Sequence, residues 1–138
     1  MGVLLEAGAI VIAAGGGGVP VIRRGERLHG VDAVIDKDLT AALLAEAIGA
    51  ELLVILTAVD AAYLHHGTPE RRAIRRASPE EVRAHAANGH FAPGSMGPKM
   101  EAAARFASVA GRRAVICDPP SLAAALDGRA GTTVLSRA

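Results

Sequence analysis

At 138 residues, 51% hydrophobic and 21% charged, the chain has the size of one domain and enough apolar surface for a packed core. That excludes disordered, fibrous and collagen-like classes. Basic residues number 15 against 14 acidic, a formal charge of +1, too weak a field to gather nucleic acid or an anionic membrane surface. Cys117 is the lone cysteine, so no internal disulfide and no cysteine-based zinc site is expected, and a reducing cytoplasm is the expected compartment.

Tyr63, Phe91 and Phe106 are the only aromatic residues and there is no Trp. The core must therefore be built from Ala, Val, Leu and Ile, which favours an α/β fold, a layered and mostly parallel sheet flanked by helices. Residues 7–22 form the longest uncharged stretch, but five Gly and a Pro interrupt it, so no membrane span is expected. Glu6 is the first charged residue, where a secretory leader would carry a basic segment.

In chain order, residues 3–7 read as a helix stub stopped by Gly8. Residues 9–14 (AIVIAA) read as a buried strand, followed by the glycine loop 15–18 and a second short strand over 19–22. Residues 23–30 are polar and turn-rich. Asp36 caps a helix over 37–48 that sets Leu39, Leu43, Leu44 and Ala47 on one face and ends at Gly49. Residues 52–57 (LLVILT) read as a central parallel strand. The Ser78/Glu81 capping box with Pro79 starts a helix that Gly89 closes. An irregular segment follows, and Pro98 opens a helix to about residue 110. A strand over 114–117, a short helix from Ser121 and an edge strand over 132–135 complete the chain. A five-residue helix stub cannot nucleate alone, so the chain reads as part of something longer. The Arg71, Arg72, Arg75 and Arg76 cluster reads as a solvated surface.

Three segments carry candidate chemistry. Gly15, Gly16, Gly17 and Gly18 follow a strand, and their amides, unshielded by any Cβ, can approach a phosphate or carboxylate; the alternative is a mobile turn. The loop is neither a dinucleotide fingerprint nor a Walker loop, because no helix and no Lys-Ser/Thr follows. Second, 13 of the 15 basic residues are Arg. The two Lys, Lys37 and Lys99, each stand near a predicted helix start, where a compact ammonium and the helix dipole reinforce one another at a phosphate. Lys37 is flanked by Asp36 and Asp38, one to cap the helix and one to hold an ammonium. Third, Thr57, Val59 and Tyr63 after the 52–57 strand offer backbone groups and a flat wall to a purine; the alternative for Tyr63 is plain core.

AGGGGVPVI (14–22), GVDAVIDKDLTAALLA (30–45), LLVILTAVDAAYL (52–64), GTPE (67–70) and GHFAPGSMGPKMEAAARF (89–106) together resemble the amino acid kinase superfamily, with wording similar to carbamate kinases. The resemblance implies one ATP/ADP-binding lobe over residues 1–138, similar to the C-terminal part of such enzymes. It implies that Lys37 and Lys99 contact the transferring phosphoryl group and that Asp38 organises them. It places Thr57, Ala58, Val59, Tyr63, Met96, Gly97 and Pro98 around the nucleotide, and Gly15 to Gly18 near phosphate and substrate. ATP or ADP with Mg²⁺ held mainly by the phosphates is implied, with carbamate or carbamoyl phosphate as the small-molecule partner and no protein metal ligand. All five His, including His65 and His66, are expected at the surface.

Ala58 departs from the Asp or Gly common in the family. The family's N-terminal half, with a further phosphate loop, a further Lys and the dimer interface, has no counterpart here. A separate N-terminal half or a homo-oligomer is therefore an implied partner. The alternatives are a non-catalytic nucleotide-binding module and an amino acid kinase for another acidic substrate.

Overall fold

The computed structural model describes residues 1–136. The elements are α1 (Gly2–Glu6), β1 (Val21–Arg24), β2 (Arg27–Gly30), α2 (Lys37–Ala47), β3 (Leu52–Leu56), β4 (Tyr63–Leu64), β5 (Arg72–Ala73), β6 (Arg76–Ala77), α3 (Pro79–Ala87), α4 (Met96–Ala107), β7 (Arg113–Cys117), a 3₁₀ turn (Pro119–Ser121), α5 (Leu122–Leu126) and β8 (Thr132–Leu135). The main sheet has the order β3-β7-β8-β6. β3 runs parallel to β7 and β6 parallel to β8, with one antiparallel pairing, β7 to β8, between them.

The sheet is covered on both faces because β7 is apolar and buried from Ala114 to Cys117 and alternates these side chains between two cores. Ala114 and Ile116 pack with Met100, Ala103, Phe106 and Ala107 of α4, while Val115 and Cys117 pack with Ala125 of α5. Fully burying a side chain such as Phe106 or Met100 contributes about 1.5–3 kcal/mol. The small residues Ala42 and Ala45 form the inner face of α2, with Leu39 packed beside them, whereas Leu43 is 46% exposed. The predicted Leu43/Ala47 face thus points outward. No helix among the described residues is long and apolar enough to cross a membrane.

Four expectations from sequence change. Residues 9–14 form no strand: Ile10 is 97% and Ile12 99% exposed, because a strand exists only with a hydrogen-bonding neighbour and none lies beside this segment among the described residues. The polar 23–30 region instead makes a hairpin, β1 against β2, turning at Gly25, whose φ is +61°. Residues 132–135 lie inside the sheet, and residues 52–56 lie at its edge, the reverse of their expected positions. α4 starts at Met96 and stops at Ala107.

This connectivity decides where ligands meet the fold. α2 leads through a short turn into β3, and α4 leads through another into β7. A helix that feeds a parallel strand this way must begin beside that strand's carboxyl end. The N-termini of α2 and α4 and the loop after β3 therefore gather at one edge of the sheet, the edge where open α/β sheets bind ligands.

Candidate active site

Asp36 caps α2 by accepting from the amides of Asp38 (2.8 Å) and Leu39 (2.9 Å). With the helix start fixed, Asp38 faces inward and Lys37 outward. Lys99, in the first turn of α4, donates to Asp38 Oδ2 at 2.7 Å, and Lys37 Nζ lies 3.6 Å from the same oxygen. One carboxylate thus holds both lysines of the chain. The side chains of Asp38 and Lys99 are only 11% and 12% exposed, against 61% for Lys37. Lys99 is a fixed ammonium, whereas Lys37 reaches into solvent. Each ammonium has three donors, so the bond to Asp38 leaves donors of both for an arriving anion.

The glycine loop is fastened to the same helix start. Gly17, with φ +126°, is packed so closely on the Ile35 carbonyl oxygen that a Cβ there would overlap it. The Thr40 hydroxyl lies 2.7 Å from the Gly17 carbonyl oxygen and 2.9 Å from that of Asp36, sharing its proton between them. Gly15, Gly16 and Gly18 are exposed. Gly17 is thus the anchor, and its neighbours leave bare backbone facing outward.

Beyond β3, Thr57, Ala58, Val59, Ala61 and Tyr63 form one side of a pocket of about 240 Å³, and Met96 with Ala92 and Ser95 the other. The Thr57 amide donates to the Cys117 carbonyl at 2.9 Å, tying the loop to the end of β7. Met96 and Lys99 lie three residues apart in one helical turn, so the first turn of α4 joins the pocket to the lysine pair. Gly97 and Pro98 do not line this pocket; they border a separate cleft between α3 and α4 with Val82 and Phe91. Gly97 closes the helix start, its amide donating to Ala92 O at 2.9 Å.

None of the five histidines is buried, as expected, and two of them, His66 and His90, line the pocket. His90 meets His65 and His85 edge-on, at ring separations of 4.6 and 5.7 Å. Desolvation and then the neighbouring His65 and His85 hold the His90 imidazole below its ordinary pKa. No spacing rule joins histidines from three separate loops and helices, so these lining positions carry no sequence signal. The Arg cluster is also more than a solvated face: the Arg71 guanidinium lies 5.1 Å from the centre of the Tyr63 ring, and Arg75 pairs with Asp60 at 3.8 Å. Burial, and then Asp118, raise the Cys117 thiol above its ordinary value.

Known proteins share this sequence and fold. The carbamate kinase of Thermoplasma acidophilum is 46% identical over 132 residues, covering 96% of this chain and 43% of that protein. That of Pyrococcus furiosus is 48% identical over 132 residues, covering 96% and 42%. The chain therefore spans less than half the length of these curated relatives. Among solved structures, the carbamate kinase from Giardia lamblia bound to AMP-PNP superposes with a TM-score of 0.92 at 38% identity, over 99% of this chain and 48% of that one. The profile of the amino acid kinase family matches residues 1–118, and the chain belongs to that family.

Proposed function

We propose that the chain is the nucleotide-binding lobe of a carbamate kinase-type phosphotransferase, which moves a phosphoryl group reversibly between ATP and carbamate. The observation that carries this reading is the single carboxylate of Asp38 holding Lys37 and Lys99 at the ligand edge, one helical turn from an apolar pocket. In the forward direction a carbamate oxygen attacks the γ-phosphorus as the bond to ADP breaks. That oxygen is already anionic, so no general base is needed, and the barrier is the crowding of two anions.

Lys99, fixed by Asp38, and Lys37, exposed and held less closely by the same carboxylate, neutralise the equatorial oxygens as charge develops. The pocket from Thr57 to Tyr63, closed by Met96, takes the base, and the outward amides of Gly15, Gly16 and Gly18 lie near phosphate and substrate. Mg²⁺ fits on the nucleotide phosphates rather than in a protein cage. Asp38 is already shared between two ammonium groups, and among the described residues no cluster of three His, Cys, Asp or Glu side chains is placed to hold a metal. The free, buried Cys117 supports a reducing, cytoplasmic setting.

A second reading stands beside the first, a nucleotide-binding module without turnover. Both are tested together. The chain is titrated calorimetrically with MgADP and with NAD, then assayed for ATP formation from carbamoyl phosphate and MgADP, alone and co-expressed with the N-terminal half of a related enzyme. Tighter ADP binding and turnover only with the added half are expected. Preference for NAD overturns the nucleotide assignment, binding without turnover in the reconstituted pair selects the second reading, and robust turnover by the chain alone means that it builds a complete site itself.

A further inference from the structure

The loop from β3 to β5 carries more order than a surface turn requires. Tyr63 donates its phenolic proton to Asp60 Oδ1 at 2.7 Å, while Asp60 Oδ2 faces Arg75 at 3.8 Å. Arg75 is itself tethered to the Gly131 carbonyl at 3.5 Å, and Arg71 covers the tyrosine ring. Arg71 is not among the residues lining the pocket, so it covers the ring from outside. The backbone beneath is pinned as well. The buried Thr132 hydroxyl accepts from the Ala62 amide at 2.8 Å and donates to Ile74 O at 2.6 Å. Asp60 and Arg75 keep side-chain exposures of 45% and 58%, and pairs that open to water add little to folding stability. Their effect is geometric: Asp60 and Arg71 hold the Tyr63 side chain directly, and Arg75 holds Asp60.

We propose that Asp60, backed by Arg75 and Arg71, is a positioning residue that locks the Tyr63 ring as the wall of the pocket and so sets affinity for the nucleotide base without affecting the phosphates. This rests on the pocket taking a base, as argued above. A tyrosine left free must be ordered each time a ligand packs against it, whereas a locked one presents its face in advance.

The chain offers its own probe, because Tyr63 is its only tyrosine and it has no tryptophan. Tyrosine fluorescence and tyrosinate absorbance therefore report on this ring alone. The hydrogen bond to Asp60, and then desolvation, raise the phenol above its usual pKa of 10.0. In Asp60→Ala the absorbance titration should move down toward the ordinary value, showing that the lock is open. In the same variant MgADP should bind about three- to tenfold more weakly, while inorganic tripolyphosphate binds as in the parent chain.

Asp60→Asn keeps an oxygen that accepts from the phenol and should recover most of the affinity. Tyr63→Phe, followed calorimetrically, should lose as much as Asp60→Ala, and the double variant no more than either. If the titration moves but ADP affinity does not, the positioning role is wrong and the base pocket stands. Equal loss for ADP and tripolyphosphate also overturns the role, since the damage is then general. If the parent chain binds no ADP while Tyr63 titrates as raised, the nucleotide reading itself has failed, and the inference falls with it.

Discussion

Lys99 shows why the identity of a cation matters more than its charge. It is nearly buried and its ammonium meets Asp38 at 2.7 Å, a contact made by a compact group with donors pointing in several directions. The planar fork of Arg cannot occupy that position without moving the carboxylate or the helix start. Lys99→Arg should therefore lower turnover at least tenfold in the reconstituted enzyme, about 1.4 kcal/mol of transition-state stabilisation. Steady-state kinetics with MgADP and carbamoyl phosphate check it, and parent-like turnover would reduce Lys99 to a structural cation. The scarcity of Lys in an Arg-rich chain makes both residues visible in the sequence. Their convergence on one oxygen is not visible there, since 61 positions separate Asp38 from Lys99.

Helix starts marked by a side-chain cap, at Asp36 and Ser78, were legible because their chemistry is local. Ser78 accepts from the Glu81 amide and the Glu81 carboxylate accepts from the Ser78 amide, the reciprocal pair implied by the spacing. Ser78→Ala should cost about 1 kcal/mol, seen as a lower unfolding midpoint in urea with an unchanged slope. Strand status depends on partners elsewhere in the chain and was less legible. The run at 9–14 has the composition of a buried strand and no neighbour, while the polar hairpin β1–β2 lacks apolar alternation and pairs all the same. Sheet order is equally non-local, which is why β3 and β8 exchanged expected places.

The α3–α4 connection carries a pH response at the same scale. His90 has a depressed folded pKa, so the unfolded chain binds its proton first as acid is added. Its contribution is present above about pH 6.5 and is lost as pH falls through the folded value. A series of melting curves should show stability dropping over that window, and His90→Gln should flatten the drop.

Across the whole molecule, apolar side chains are distributed unevenly. Val3, Ile10, Ile12 and Val34 are 79%, 97%, 99% and 94% exposed, and β3 pairs on one side only. Exposed apolar surface of this kind associates. Sedimentation should show concentration-dependent assembly of the purified chain, and Ile10→Lys with Ile12→Lys should shift it toward monomer without lowering the melting temperature. Unchanged assembly in that variant would place the contact elsewhere.

From Met1 to Ile35 the single buried residue is Gly17, held against the Ile35 carbonyl and the Thr40 hydroxyl. The chain should consequently open in two stages. Amide hydrogens before α2 should exchange with deuterium quickly and independently of denaturant, while those of α4 and β7 exchange only through global unfolding. Gly17 is where the two regimes meet, so a protease that cuts the leading segment should leave a resistant core beginning near α2.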